Sequence, residues 1–501
     1  MRAHDGTSDD RSADDCSQNG TDVLDSSRAG GLLIRGGVLR FGGYAAGVAL
    51  SVLSAALVTR HLGVARFGRY TTVLSIIGVV AAVTDAGMSA VGTREYAVLV
   101  SPQREDFMRD LLGLRVALTL LGVLLAAGFA IVAGYDTALV IGTAVASFGT
   151  VALVFQHTLS IPLATDLRLG LLSSLELTRS ALIVVGVVLV VVLGGGVLPL
   201  LATQLLANAL LIPPTARLVR GRLSARLSLR PRRWRPLARA TFVFSVATSI
   251  GVLYMFTAQI VTSLVTTSHE NGLFAVSFRV FIMASAACGI VVSTALPFLS
   301  RAARDDQERH AYALQRIFEL SFAAGVGSAL VMAAGSGFIV SVVAGPSYAP
   351  AATVLAIQSF AMIASFVLAG WVQALMSLKL HRGLLTAYSS ALVVGIVVTA
   401  VLADRYGARG AAIATICGET TLAAASLAAL VRHRPHYRPN LSAAIKIILA
   451  GLCAGVLSLV PNVPSLLSAV VAAVVYAAVI LATGALPAEV RELIPLTGRR
   501  S

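Results

Sequence analysis

The chain has 501 residues, of which 57% are hydrophobic and only 13% are charged, and its mean hydropathy is +0.84. Soluble domains are about 25% charged, so this composition excludes an ordinary soluble globular domain. Apolar runs recur along most of the sequence and predict an all-α, polytopic membrane protein, because membrane strands would alternate in segments of roughly ten residues.

Residues 1–30 precede the first apolar run and are rich in Asp, Ser and Gly. They offer too little apolar surface to pack, so we predict a disordered cytoplasmic tail. The segment lacks the basic start and the short apolar core of a signal peptide.

Fourteen apolar runs follow, and each is predicted to be a membrane span. We expect two six-helix lobes, residues 31–216 and 240–431, joined by a basic linker at 217–239. An appended helix pair with the C-terminal tail occupies residues 432–501. The predicted limits of the spans are 41–59, 70–92, 111–133, 138–163, 172–193, 197–216, 240–266, 273–299, 317–344, 351–378, 384–402, 410–430, 444–460 and 465–486.

Lys and Arg in the short loops predict the orientation. With the N-terminus in the cytoplasm, nearly all basic residues outside the spans lie in inward segments. The outward loops then hold only Arg60, Arg66, Arg69, Arg405 and Arg409. An even number of spans returns the C-terminus to the same side, so we predict a cell-membrane protein with both termini cytoplasmic.

The densest basic cluster is the linker at 217–239, RLVRGRLSARLSLRPRRWRPLAR. A nucleic-acid or partner patch is one interpretation of such a cluster. We favour a segment that lies on anionic lipid, because basic residues beside a membrane helix bind such surfaces and Trp234 suits the interface. The net charge of +15 is therefore assigned to membrane lipids, and no nucleic-acid partner is expected.

Two short motifs open equivalent spans of the predicted lobes. FGRY at 67–70 opens span two, and NGLF at 271–274 opens span eight. Both lie on the predicted outer side, so the lobes share one orientation and are predicted to form a parallel repeat. The substrate path is then expected between the two lobes.

Several motifs, in chain order, resemble one family. LG-x-x-x-FG-x-Y at 62–70, D-x-G-x-S at 85–89 and TRE at 93–95 resemble the second-helix motif of Wzx-type polysaccharide-precursor flippases, which belong to the multidrug/oligosaccharidyl-lipid/polysaccharide exporter superfamily. The resemblance covers residues 35–430. It implies a transporter that flips a polyprenyl-pyrophosphate-linked oligosaccharide from the inner to the outer leaflet for cell-surface polysaccharide synthesis. Further similar motifs are G-x-F-x-x-x-x-R at 272–279, ALP at 295–297, VAGPSYAPAATVLAI at 343–357 and GAA-x-AT at 410–415.

Arg279, in span eight, is the first candidate for substrate binding. An ionisable group inside the bilayer costs roughly 2.5–3.5 kcal/mol on insertion scales and usually faces a cavity or a partner. A guanidinium offers a planar fork of donors suited to phosphate oxygens, and the resemblance implies that this cation meets the lipid pyrophosphate. The alternatives are a snorkelling side chain and a structural ion pair.

Three intramembrane acids are candidates for ion coupling or for structure. Glu419, near the middle of span twelve, could carry a coupling proton or cation, or stay protonated and hydrogen-bonded between helices. For Asp85, in span two, we favour a structural role. Glu176 and Arg179 are three residues apart on span five, so they lie on one helix face and can neutralise each other, although Arg179 could also meet the substrate as it enters.

Other polar residues carry less specific signals. Arg115, near the inner end of span three, is predicted to snorkel to the interface. Gln204, Asn208 and Gln259 are predicted to bind the substrate headgroup, with the stitching of neighbouring helices as the alternative.

Several absences shape the functional prediction. The sequence has no P-loop, so we expect no ATP hydrolysis by this chain. No predicted outward loop is long enough for a catalytic domain, and the four cysteines have no metal or redox spacing, so we expect no enzyme, cofactor or metal. We predict transport by alternating access, with membrane lipids and other glycan-assembly proteins as partners. The alternatives are a multidrug/cation antiporter of the same superfamily and a non-catalytic scaffold.

Overall fold

The computed structural model describes residues 27–85, 88–99, 103–166, 168–220, 231–293, 299, 301, 307–434, 437, 439–440, 442–458 and 463–485. This part of the chain is helical and contains no strand, which confirms the all-α fold class. Most of the predicted tail at 1–30, the middle of the predicted linker at 221–230, the ALP motif at 295–297 and the C-terminal tail from 486 lie outside the described residues.

The helices follow one another along the whole described chain, and a single 3₁₀ turn, Pro346–Tyr348, lies between α12 and α13. Their bounds are α1 Ser27–Asp85, α2 Met88–Val98, α3 Gln103–Val132, α4 Thr137–Leu159, α5 Ile161–Thr165, α6 Leu169–Val192, α7 Val197–Leu210, α8 Ile212–Leu218, α9 Pro231–Val265, α10 Ser268–Ser293, α11 Gln307–Ala334, α12 Ser336–Val343, α13 Ala351–Gln358, α14 Ala361–Ser377, α15 His381–His433, α16 Ser442–Ser458 and α17 Ser465–Thr483.

The two longest helices, α1 and α15, are each bent at one glycine. Helix α15 holds two predicted spans, and α1 holds span one and most of span two. Gly63 (φ 69°) and Gly407 (φ 58°) have backbone conformations that favour glycine. The ring of Tyr254 lies against both Gly395 and Gly418, on either side of the bend in α15. A straight helix would separate those two glycines by about 34 Å, so α15 folds back on itself as a hairpin.

Within the described residues, each of the fourteen predicted spans overlaps a helical segment. Nine helices of the described chain are long and apolar enough to cross a bilayer, and α1 and α15 are the two bent ones. The helices α13 and α14 are long and apolar enough only when taken together, and they bend by 42° at the break between them. Ser249–Val265 and Ser442–Leu457 are shorter apolar segments.

Several spans are less regular than the sequence predicted. Span four ends as α4 at Leu159 and continues as the short α5, and span six breaks between α7 and α8. Proline occupies the first turn of both α5 and α8. A first turn tolerates proline because the N–H there has no partner within the helix, whereas proline in the middle of a continuous helix would break a hydrogen bond. Span nine, predicted to run to residue 344, breaks at Gly335 between α11 and α12. Helix α1 begins at Ser27, inside the predicted tail.

Packing joins the helices into one assembly. Among the first helices, α1 packs on α6, and α4 packs on α7. Among the later ones, α15 packs on α9 and α14, and α11 packs on α14. Helix α1 also contacts α9 and α10 and so connects the two predicted lobes, whose boundaries stay a prediction. The appended helices α16 and α17 lie against α11, where the hydroxyl of Tyr476 donates to the carbonyl of Ala323 at 2.7 Å.

The two motifs that open spans two and eight pack directly against each other. A Cβ atom on Gly68 would lie 2.8 Å from the backbone nitrogen of Gly272, and a Cβ atom on Gly272 would overlap the carbonyl oxygen of Val64. The Asn271 amide donates to the carbonyl of Gly68 at 3.0 Å and to the hydroxyl of Thr72 at 2.9 Å. We call this close approach of Gly68 and Gly272 the glycine contact.

Three further contacts lie at the same end of the molecule. Arg60 donates to the carbonyl of Val342 at 2.6 Å, and the hydroxyl of Tyr348 donates to the carbonyl of Thr59 at 3.1 Å. The Glu270 carboxylate accepts the backbone N–H of Ala408 at 2.8 Å, immediately after the bend in α15. These contacts and the glycine contact join neighbouring helices at the predicted outer end of the molecule.

Candidate functional site

A polar cavity lies beside both arms of α1, and we call it the arginine cavity. Its volume is about 590 Å³, and residues of α6, α7 and α10 complete its wall. Gly47 and Leu74, on either side of the bend at Gly63, both line it. Four of the residues predicted from the sequence meet here: Arg279, Arg179, Glu176 and Gln204.

Arg279 enters this cavity from α10. Its side chain is half-buried and lies beside the hydroxyl of Tyr70, which also hydrogen-bonds with Gln204. Within the described part of the chain, no carboxylate pairs with Arg279. The guanidinium donors are therefore available to an anion in the cavity.

Arg179, by contrast, already has a partner on its own helix. Its Nε donates to Oε2 of Glu176 at 3.0 Å, and Nε2 of His157 on α4 lies 3.3 Å from Oε1 of the same carboxylate. The Glu176 side chain is 52% exposed and that of Arg179 is 29% exposed. One carboxylate thus contacts two basic groups on two helices.

A second, smaller pocket adjoins the arginine cavity. Its volume is about 210 Å³, and it shares Leu172 and Glu176 with the larger space. Hydroxyl, amide and imidazole groups also line it, from Ser89, Thr93, Gln156, His157 and Ser160. We call it the His157 pocket.

Glu419 lies in a separate cavity of about 320 Å³ between α9, α10, α14 and α15. Its side chain is 8% exposed, and its Oε1 accepts the hydroxyl of Tyr254 at 3.0 Å. Ser365 also hydrogen-bonds to this carboxylate, and Tyr388 lies beside it. The described residues contain no cluster of three or more His, Cys, Asp or Glu side chains that could hold a metal ion.

Asp85 and Arg115 form an ion pair between α1 and α3. Nη2 of Arg115 donates to Oδ1 of Asp85, and the hydroxyl of Ser89 donates to the same oxygen at 2.5 Å. Arg115 is only 1% exposed, so the prediction that it snorkels to the interface was wrong. Its charge is matched inside the protein, and neither residue lines the arginine cavity.

Two of the predicted headgroup ligands also lie elsewhere. The side-chain amide of Asn208 donates to the carbonyl of Gly149 at 3.0 Å, and that of Gln259 donates to Oδ1 of Asn271 at 2.7 Å. Both side chains are buried away from the arginine cavity. Their contacts favour the alternative in which they stitch neighbouring helices together.

The sequence analysis missed the tyrosines that surround the charged residues. Tyr70 was noted as part of a turn motif but not as a neighbour of Arg279, and Tyr254 and Tyr388 were not noted. A buried tyrosine hydroxyl usually finds a polar partner. A tyrosine inside an apolar span is therefore a signal that could have pointed to each of the two cavities.

Solved structures with a similar fold are membrane transporters. The lipid II flippase MurJ in an inward closed conformation superposes with a TM-score of 0.73 and 12% identity, over 92% of this chain and 99% of that chain. A multidrug resistance MATE family transporter of the MOP superfamily, in an inward-facing conformation, gives a TM-score of 0.62 and 13% identity, over 78% of this chain and 94% of its own. A MOP superfamily transporter from Pyrococcus furiosus gives a TM-score of 0.52 and 13% identity, over 81% of this chain and 95% of its own.

The chain shares its fold with these solved transporters. The superposition with MurJ extends over nearly the full length of both chains, so it includes helices of both predicted lobes. No protein-family model matches the sequence, and no curated protein matches it. At these identities the likeness shows the fold, and the function must be argued from the cavities.

Proposed function

We propose that this protein is a Wzx-type flippase, which moves a polyprenyl-pyrophosphate-linked oligosaccharide from the inner to the outer leaflet of the cell membrane. The observation that carries the proposal is the arginine cavity. It presents Arg279 without a carboxylate partner, next to Arg179, Gln204 and Tyr70. The motifs around Arg279 resemble the same family, and the fold is shared with a lipid II flippase.

The cavity chemistry suits a phosphorylated sugar headgroup. The guanidinium of Arg279 binds phosphate oxygens through two parallel N–H donors. The amide of Gln204 and the serine hydroxyls at 51, 54, 173 and 180 hydrogen-bond with sugar hydroxyls. Hydrocarbon would strip the hydration of such a headgroup at a cost of many kcal/mol, whereas the polyprenyl tail is as apolar as lipid and stays in the bilayer.

Alternating access carries the headgroup across without ATP hydrolysis. The glycine contact and the bonds of Arg60 and Tyr348 close the predicted outer end, and the headgroup leaves when they separate. Glu419 is the candidate for coupling this change to a proton or cation gradient, because its carboxylate is buried in a cavity of the opposite lobe. The basic linker at 217–239 rests on anionic lipid at the cytoplasmic face, where other glycan-assembly proteins act.

A second candidate function is the export of organic cations. It is favoured by the Glu419 cavity, in which a carboxylate lies beside the rings of Tyr254 and Tyr388. A carboxylate and aromatic faces together attract a cationic ligand. This function predicts drug resistance that depends on Glu419 and not on Arg279.

The test is the accumulation of lipid-linked precursor in cells that carry Arg279→Ala. A hydrogen bond to a charged group contributes about 1.5–3 kcal/mol, so transport should fall by roughly 10–150-fold and undelivered precursor should accumulate. Arg316→Ala is the matched control, because Arg316 is a paired arginine outside the cavity. Unchanged export by Arg279→Ala, at normal expression, would remove the arginine cavity from the mechanism. A scaffold would tolerate loss of every intramembrane charge.

A further inference from the structure

Two arginines line the arginine cavity, but they differ in what they contact. Arg279 has no carboxylate partner among the described residues, whereas Arg179 is held by Glu176. A phosphate that enters the cavity therefore finds one cation available and a second one occupied by the protein's own anion.

We propose that Glu176 is an internal counter-ion, which competes with a substrate phosphate for Arg179 and keeps His157 as its second partner when that phosphate binds. This inference rests on the proposed function, because it assigns a role to Glu176 in binding the same headgroup. It goes beyond the pairing of Glu176 with Arg179, since it requires that the pair open and close during each transport cycle.

The geometry of the carboxylate supports such an exchange. Its Oε2 faces Arg179 at 3.0 Å and its Oε1 faces His157 at 3.3 Å. Loss of the Arg179 contact thus leaves Glu176 with a basic neighbour on α4. The His157 pocket, of about 210 Å³, provides space on that side, and the hydroxyls of Ser89 and Thr93 line its wall.

Because the Glu176–Arg179 pair is partly exposed, breaking it costs little free energy. The Glu176 and Arg179 side chains are 52% and 29% exposed, and exposed ion pairs contribute little to stability. The Asp85–Arg115 pair differs, because its arginine side chain is only 2% exposed and loss of Asp85 would leave that charge buried without a partner. Of these two pairs, Asp85–Arg115 is suited to permanent structure and Glu176–Arg179 is suited to exchange.

The competition between Glu176 and the substrate phosphate for Arg179 also accounts for the release of the headgroup. A transported headgroup must bind tightly enough to enter the cavity and loosely enough to leave it. The first phosphate of a pyrophosphate binds Arg279, and the second displaces Glu176 from Arg179. When the cavity opens to the other side, Glu176 returns to Arg179 and weakens the hold on the departing phosphate.

The test measures binding to the full-length protein in lipid nanodiscs, with inorganic pyrophosphate and undecaprenyl pyrophosphate as probes. Glu176→Gln removes the competing charge at nearly constant volume and should tighten the binding of both probes by roughly fivefold, the size of one exposed ion pair. The dissociation of undecaprenyl pyrophosphate should slow by a similar factor. Glu319→Gln is the matched control, since Glu319 forms an i,i+3 pair with Arg316 outside the cavity, and it should leave both affinities unchanged.

A double-mutant cycle tests the role of His157. His157→Ala should weaken pyrophosphate binding, because Glu176 then has only Arg179 as a partner. The same substitution should have no effect in the Glu176→Gln background. Glu176→Ala provides a second variant in case the glutamine variant fails to fold, and it should tighten binding in the same way.

The outcomes separate this inference from the proposed function. If Arg279→Ala abolishes binding but Glu176→Gln leaves it unchanged, the counter-ion role is overturned and the flippase proposal stands. Weaker binding by Glu176→Gln would mean that the carboxylate accepts hydrogen bonds from the ligand, which also overturns the inference. If wild type and Glu176→Gln both fail to bind either probe, or if Arg279→Ala binds as well as wild type, both proposals fall.

Discussion

The glycine contact predicts that a single methyl group opens the predicted outer end of the protein. In Gly272→Ala, the new Cβ would overlap the carbonyl oxygen of Val64 and lie 3.0 Å from its Cγ1. The carbonyl belongs to the backbone and cannot move without a shift of α1. The closed arrangement is therefore destabilised, whereas an arrangement with separated helices has room for the methyl group.

The magnitude follows from the closeness of these atoms. Overpacking typically costs 1–3 kcal/mol, and a backbone neighbour that cannot rotate away places this site toward the upper end. The equilibrium between closed and open arrangements should therefore shift by roughly 5–150-fold toward the open one. Gly68→Ala should act in the same direction, since its Cβ would lie 2.8 Å from the nitrogen of Gly272.

The assay is the labelling of one cysteine in the arginine cavity from the predicted outer face. Ser54→Cys, in a background without the four native cysteines, places a thiol on the cavity wall. In intact cells, a membrane-impermeant maleimide should label it slowly, and Gly272→Ala should accelerate the labelling. Gly128→Ala is the control, because a Cβ atom on Gly128 would meet nothing within 4 Å while the gain in helix propensity of about 1 kcal/mol is the same.

Two results would refute this reasoning. Equal labelling rates in Gly272→Ala and Gly128→Ala would mean that the glycine contact does not govern access. Faster labelling only from the cytoplasmic side, in inverted vesicles, would mean that the predicted orientation is reversed.

Two further predictions concern the other intramembrane charges. Asp85→Ala should lower the free energy of unfolding by about 3–5 kcal/mol, because it leaves the Arg115 guanidinium buried without its partner. Arg115→Met should lower the free energy of unfolding by less, since the Asp85 side chain is 39% exposed. Thermal unfolding in detergent measures the stability of both variants, and equal losses would contradict this expectation. Glu419→Gln should retain the partner Tyr254 and normal stability but lower gradient-driven transport by tenfold or more. Wild-type transport by this variant would show that Glu419 works as a neutral hydrogen-bonding group.

The helical spans could be predicted because hydrophobic length alone decides them. The breaks inside spans were harder to predict. The break in span six can be recognised in the sequence from Pro213 and Pro214. Gly335 in span nine does not differ from the glycines that helices tolerate. Whether a glycine breaks a helix depends on the packing of its neighbours, which a single sequence does not contain.

The candidate site could be predicted only in part, because a single sequence does not show which helices face one another. Arg279, Arg179 and Glu176 could be selected because a charge within an apolar run needs a cavity or a partner. Whether a given charge faces a cavity or a partner depends on which helix lies opposite it. Arg115 and Asp85 are 30 residues apart, and no local pattern joins them, so their pairing appears only in the folded chain. Amides such as Asn208 and Gln259 are equally suited to sugars and to backbone carbonyls, so only their location separates the two roles.

The hydrogen bond between Glu270 and Ala408 connects a helix of the arginine cavity to a helix of the Glu419 cavity. Glu270 lies about 14 Å before Arg279 along α10, and Ala408 lies about 17 Å before Glu419 along the second arm of α15. A displacement of α10 would therefore pull on the arm that carries Glu419. The carboxylate bond connects α10, which carries Arg279, to the arm of α15 that carries Glu419, so a movement of either helix would be transmitted to the other.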